Sequence, residues 1–276
     1  MVTQVDKQQV LDGLFKSWDD IDELLSGLSD AQWQESTALP GWRVHDVVSH
    51  IIGTESFLTG MPTPTPDVNV SKLEHVRNQM GAMNESWVRH LHDEPPSAML
   101  EKFRSVTGER RKALAAMDDE AWNTEGATPV GQDTYGRFMR VRTFDCWMHE
   151  QDIRYAVGIW ASDDVLLGGP AEQAFGEITS SLGYIVGKLG KAPDGSRVAF
   201  ELTGPLQRTL RVAVDGRAKL VDDFDGDPTT TIRLDAVLFT RLAGGRTTAD
   251  ENDNAIEIEG DTALGRQLVE HLNFVI

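Results

Sequence analysis

The stretch Arg142-Thr143-Phe144-Asp145-Cys146-Trp147-Met148-His149-Glu150-Gln151-Asp152-Ile153-Arg154 puts charged and metal-capable side chains where a helix should be oily. Read as a helix, Phe138, Val141, Asp145, Met148, Asp152 and Tyr155 fall on one seam, at the alternating spacings of three and four that face a bundle core. Two of these residues are carboxylates. An unpaired carboxylate in an apolar seam is costly or simply protonates, so something must compensate it. A bound cation is one candidate. A buried hydrogen bond between Asp145 and His149 is another, and neutralisation of Asp145 and Asp152 by Arg140, Arg142 and Arg154 is a third.

Working outward, residues 8–28 carry Val10, Leu11, Leu14, Trp18, Ile21, Leu24 and Leu25, a helical period. Pro40-Gly41 breaks the chain before Val44, Val47, Val48, Ile51, Thr54, Glu55 and Leu58 resume that period. The prolines at 62, 64 and 66 predict an extended linker, because each disfavours helix in the residue before it. Helices are expected over residues 71–93 and 97–117, divided by Pro95-Pro96, and the seam helix over 134–158. Beyond Gly158 the character changes. A helix over 170–189 gives way to β-rich runs at 197–202, 209–214, 218–221 and 229–234, read as a meander of antiparallel strands. A helix at 236–242, a strand at 255–258 and a helix at 262–272 follow. The expected fold class is α plus α+β, an N-terminal four-helix bundle over residues 1–160 followed by a smaller α+β domain over 161–276.

The chain has 276 residues, with 26 Lys and Arg against 44 Asp and Glu, for a formal charge of −18. Such a field repels nucleic acid and anionic membrane surfaces, so no nucleic-acid or membrane partner is expected, and a monomer or small homo-oligomer is. Residues 1–7 show no basic start followed by an apolar run, and no window is apolar enough to span a bilayer; the expected location is the cytoplasm. Cys146 is the only cysteine, so a metal site must draw on His and carboxylates. Glycine-rich nucleotide motifs and a Gly-x-Ser-x-Gly elbow are absent. The acidic run 222–227 lacks the glutamate that would complete an EF-hand and reads as a polar turn.

Asp145 and His149 stand four residues apart, one turn of rise and about 40° of rotation, so both can reach one ion. A third ligand must come from another helix. His50, flanking the apolar stripe of the second helix, is the best candidate; its bland reading is a satisfied histidine at the core edge. Two imidazoles and one carboxylate leave coordination positions open, as in a catalytic zinc site, and they also suit iron, nickel or manganese. Asp152 and Asp46, each one turn from a candidate ligand, are placed to orient an imidazole through its free N–H. Arg137, Arg140, Arg142 and Arg154 read as solvated helix-surface charges.

Trp33, then Pro40-Gly41-Trp42-Arg43-Val44-His45-Asp46-Val47-Val48-Ser49-His50, and far downstream Arg-x-x-Asp-x-Trp-x-His-x-x-Asp-x-Arg at Arg142 to Arg154, resemble the mycothiol-dependent maleylpyruvate isomerase family of the DinB-like superfamily. Phe239 to Arg246 and Ile258 to Asp261 resemble that family's sterol-carrier-like C-terminal domain. The resemblance implies a DinB-like bundle whose zinc, or other divalent metal, is held by His50, Asp145 and His149. It implies mycothiol as cosubstrate, a small-molecule electrophile as its partner, and Arg246 as a catalytic arginine toward substrate carboxylates. A surface arginine between strand and loop is the other reading of Arg246. The family's isomerase has a glutamate where this chain has Asp145, a departure that leaves the reaction open between isomerase and S-transferase. Cys146 points off the ligand face and is a poor nucleophile. The alternative function is a small apolar-ligand-binding protein with a vestigial metal site.

Overall fold

Helix α1, Lys7–Ser26, starts where the Asp6 carboxylate accepts from the Gln9 amide at 2.7 Å, and it buries the row Val10, Leu14, Trp18, Ile21 and Leu25. The computed structural model describes residues 3–275. After α1 come a short α2, Asp30–Trp33, then α3, Val44–Leu58, α4, Gln79–Leu91, α5, Pro96–Ala116, and a short α6, Asp119–Trp122. A two-stranded antiparallel hairpin, β1 Glu125–Thr128 and β2 Gly131–Thr134, leads into α7, Tyr135–Val157. The Thr134 hydroxyl caps α7 by accepting from the Arg137 amide at 3.1 Å. Gly158 ends it at φ +69°, a conformation that costs glycine nothing.

Helices α1, α3, α5 and α7 form a four-helix bundle in which α5 and α7 each pack on both α1 and α3. Its core is a continuous cluster running from Val10 through Trp18, Val48, Ile51 and Phe103 to Met139, Cys146 and Ile153. Gly53 matters to a further neighbour of α3, helix α4. A Cβ there would lie 2.4 Å from Trp87 Cγ, so only glycine lets α4 approach this closely.

Two expectations for this unit need correction. The helix predicted over 71–93 exists only as a 3-10 turn at Val70–Lys72 and as α4 from Gln79; the Asn78 side chain accepts from the Gly81 amide at 2.8 Å and starts the helix there. The core-facing row of α7 is also rotated from the predicted seam. Met139, Cys146 and Ile153 sit in the core, whereas Phe138 and Val141 are only partly buried and the Asp145 side chain is 30% exposed. Asp145 therefore lies about 100° around the helix from Cys146, on the flank of the core.

The chain divides into two compact units between Ala161 and Ser162. In the second unit, α8, Asp163–Leu166, and α9, Gly169–Tyr184, the latter continued by a π turn at Ile185–Leu189, precede β3 Arg197–Thr203, β4 Arg208–Asp215, β5 Arg217–Val221 and β6 Thr230–Asp235. Helix α10, Ala236–Ala243, strand β7, Ile256–Gly260, and α11, Thr262–Glu270, complete it. The five strands are ordered β5-β4-β3-β6-β7. The predicted antiparallel meander holds for β3, β4 and β5 but not for β6, which pairs parallel with β3. Burial explains the choice. Strand β3 buries Val198, Ala199, Phe200 and Leu202 and is suited to the sheet centre, whereas β5 buries only Ala218 and stays at the edge. Phe175, Phe200 and Phe239 pack their rings in this unit's core, with centroids 5.6 and 5.9 Å apart along the chain of contacts. Among the described residues no helix is long and apolar enough to cross a membrane.

Candidate metal centre

Helices α3 and α7 bring His50, Asp145 and His149 together, one donor atom of each lying within 4.8 Å of the others. His50 Nε2 stands 3.2 Å from Asp145 Oδ2, and His149 Nε2 stands 3.5 Å from Asp145 Oδ1. The two imidazoles meet edge to face, centroids 4.9 Å apart and planes at 74°. A tetrahedral ion with ~2.0–2.2 Å bonds separates its ligands by about 3.3–3.6 Å; the two spacings to Asp145 are of this order but run to its two different oxygens. The three residues thus fit a divalent cation in chemistry, and their donor atoms converge on one region from two helices. Both histidines are buried, so the partly exposed Asp145 gives the cluster its open side.

The two rings are held by different means. Asp152, almost fully buried, has Oδ2 3.0 Å from His149 Nδ1, which favours a proton on Nδ1 and leaves Nε2 free toward Asp145. His50 has no such partner, since its Nδ1 is buried without a hydrogen bond. Its ring packs instead on Trp42, centroids 5.5 Å apart. The Trp42 indole N–H donates to the buried Glu85 at 3.1 Å, and Glu85 also accepts from Arg89 and contacts His75 Nε2 at 3.1 Å.

Asp46, expected to orient an imidazole, does not reach His50. Its carboxylate accepts from the Arg43 amide at 2.9 Å and from Arg43 Nε at 3.0 Å, serving the N-terminus of α3. The physical reason is position: a carboxylate in the first turn is drawn to the free amides there. Arg142 overturns another expectation. It is buried, 3% exposed, donates to Glu55 Oε1 at 2.9 Å through Nε and bonds Asp145 Oδ2 through Nη1. Arg137 is buried too, and Arg154 pairs with the buried Glu150 at 2.7 Å. Glu55 and Arg110, which meet at 2.9 Å, were absent from the predicted site. Glu55 could have been found, because it interrupts the inward row of α3 as Asp145 interrupts α7. Arg246 lies in the second unit, where Nη1 donates to the Gly244 carbonyl oxygen.

These surroundings set the charges. Burial opposes ionisation of Asp145, yet Arg142, His149 and His50 hold its pKa well below the ordinary carboxylate value. Burial lowers the pKa of His50, with Asp145 offsetting only part, which favours the neutral ring that metal ligation would require. Burial pushes the same way on His149, but Asp145 and Asp152 outweigh it and raise the pKa. A divalent ion would take the place of that extra proton. Burial drives the Cys146 thiol up to about 12 despite Arg142 nearby, which removes it as a nucleophile.

Comparison with known proteins agrees with this picture. Residues 14–154 match the family described as "Mycothiol maleylpyruvate isomerase N-terminal domain", and residues 172–267 match "MDMPI C-terminal domain". The crystal structure of the mycothiol-dependent maleylpyruvate isomerase shares the fold, with TM-score 0.60 and 17% identity over 92% of this chain and 93% of that one. A histidine-to-alanine mutant of that isomerase gives TM-score 0.58 and 16% identity over the same shares. Two Mycobacterium tuberculosis proteins, uncharacterized protein MT0041 of strain CDC 1551 / Oshkosh and uncharacterized protein Rv0036c of strain ATCC 25618 / H37Rv, are each 23% identical over 192 residues, 68% of this chain and 70% of theirs. With family matches spanning most of both units, the chain belongs to the mycothiol-dependent maleylpyruvate isomerase family, a family named for an enzyme.

Proposed function

We propose that this chain is a metal-dependent enzyme that uses mycothiol as thiol cosubstrate and adds it to a small electrophile, as an isomerase or an S-transferase. The convergence of His50, Asp145 and His149, in a chain of this family, carries the reading. A zinc or other divalent ion, when bound, supplies the positive charge that lowers the pKa of a thiol toward neutrality.

The chain's own residues do the rest. His149 presents Nε2 because Asp152 faces Nδ1, and Trp42 braces the ring of His50. Asp145 contributes negative charge kept ionised by Arg142. Buried Cys146 stays protonated and does not compete with the incoming thiol. In an isomerase the thiolate sulfur forms a bond to one carbon of a conjugated double bond, whose electron pair moves onto the conjugated carbonyl. Rotation follows, the electrons return and the C–S bond breaks, regenerating the thiolate without net consumption. In a transferase the adduct gains a proton and is released with the thiol attached. By resemblance to the family, Arg246 is assigned to a substrate carboxylate, which a guanidinium binds in a two-pronged fashion.

Metal analysis of purified protein with a mycothiol turnover assay tests the reading. The expected result is about one equivalent of divalent metal, lost with all turnover in His149→Ala, and a raised KM in Arg246→Met. A wild-type chain without metal affinity, or with turnover indifferent to His149→Ala, contradicts it.

A further inference from the structure

The metal ligand Asp145 is the end of a buried chain of charges that runs across the bundle. Glu55 on α3, with no exposed surface, accepts from two arginines, Arg110 of α5 on Oε2 at 2.9 Å and Arg142 of α7 on Oε1 at 2.9 Å. Arg110 continues to the Tyr135 hydroxyl at 3.0 Å. Arg142 continues to Asp145 Oδ2. Glu55 and Arg110 alone would be neutral, so the second buried guanidinium needs a second carboxylate. Among the partners described for Arg142, Asp145 supplies it. The planar fork makes this possible, because Nε faces Glu55 while Nη1 faces Asp145.

We propose that Arg142 is a positioning residue that holds the Asp145 carboxylate by Oδ2 and turns Oδ1 toward His149, and that Glu55, tied back by Arg110, fixes Arg142. Asp145 sits on the exposed flank of the cluster, where a free carboxylate would sample several rotamers. Its clasp by Arg142 removes that freedom before an ion arrives. The inference rests on the metal reading above and adds to it the residues that preorganise the carboxylate.

Cobalt(II) reports both affinity and geometry, so the test is cobalt uptake, by competition with a chelator and by the visible d–d bands, in the full chain. Arg142→Met is expected to weaken cobalt and zinc binding about tenfold to a hundredfold, the usual consequence of removing a group that orients a ligand, and to alter the d–d envelope. Arg142→Lys should not rescue, because a single ammonium cannot span Glu55 and Asp145 with a fork's geometry. Glu55→Gln, nearly isosteric, should weaken binding several-fold, and it decides the matter if Arg142→Met fails to fold. Arg104→Met, at a surface pair with Asp22, serves as the unaffected control. Parental or tighter binding with an unchanged spectrum in folded Arg142→Met or Glu55→Gln overturns the positioning role and leaves the enzyme reading standing. A wild-type chain that takes up no cobalt or zinc overturns both.

Discussion

His149 lies between two carboxylates, and each does something different to it. Asp145 faces Nε2 at 3.5 Å, where an ion would come between them; Asp152 faces Nδ1 at 3.0 Å, where a proton belongs. Asp152→Ala should therefore lower metal affinity roughly 10–100-fold, and Asp152→Asn, which keeps an acceptor but not the charge, should lose less. Chelator competition reads both, and equal affinity in Asp152→Ala and the parent would rule the role out. At this scale the sequence was informative about residues one turn apart, because helix geometry alone joins Asp145, His149 and Asp152. It was weaker across helices. His50 was reachable by residue chemistry, but Asp46 competes for the first-turn amides of its own helix, and spacing does not reveal that competition. Arg110 was missed because a pair between helices leaves no spacing signature, whereas its partner Glu55 did carry a signal, as a carboxylate in the inward row of α3.

The elements show where a periodic pattern is sufficient and where it is not. Helix α3 begins after the Pro40-Gly41 turn, and Asp46 locks its first turn. Burial opposes ionisation of Asp46, but His45 and Arg43 outweigh it and depress its pKa. A carboxyl whose native pKa is depressed adds stability that is complete above its ordinary value of 3.8 and is lost as pH falls through the native value. Asp46→Asn should thus destabilise the bundle by ~1–2 kcal/mol at pH 7, and the gap from the parent should shrink below pH 4. Urea midpoints measured across pH check this; a gap that does not change with pH would mean that charge plays no part. Helix period located α1, α3, α5 and α7 closely, yet placed the α7 seam one residue off, since Met139, Cys146 and Ile153 compete with Phe138, Val141 and Met148 for the same inward direction. Strand alternation located β3 to β6 and the antiparallel order of β3, β4 and β5, but not the partner of β6. The parallel pairing of β3 with β6 follows from which strand can be buried on both faces, a property of the assembled sheet.

In the molecule as a whole, composition and structure coincide in a useful way: all seven tryptophans, Trp18, Trp33, Trp42, Trp87, Trp122, Trp147 and Trp160, lie before the boundary at Ala161. Trp18, Trp33, Trp122 and Trp147 are essentially inaccessible, so their emission changes when the first unit unfolds and is silent about the second. The candidate ligands all belong to that same unit. An ion that binds only the native site stabilises it by RT ln(1 + [L]/Kd), ~2.7 kcal/mol at a hundredfold excess over Kd. For a unit of this size that is about 5–10 °C in the tryptophan-monitored midpoint. The unfolded chain offers no preformed triad, since His50 and Asp145 are 95 residues apart and converge only when α3 packs on α7. The metal-dependent rise should therefore vanish in His149→Ala and shrink in Arg142→Met, while emission from the folded protein keeps its position. A tryptophan midpoint that does not move with zinc, at concentrations where binding is measured directly, would mean that the ion binds somewhere other than between α3 and α7.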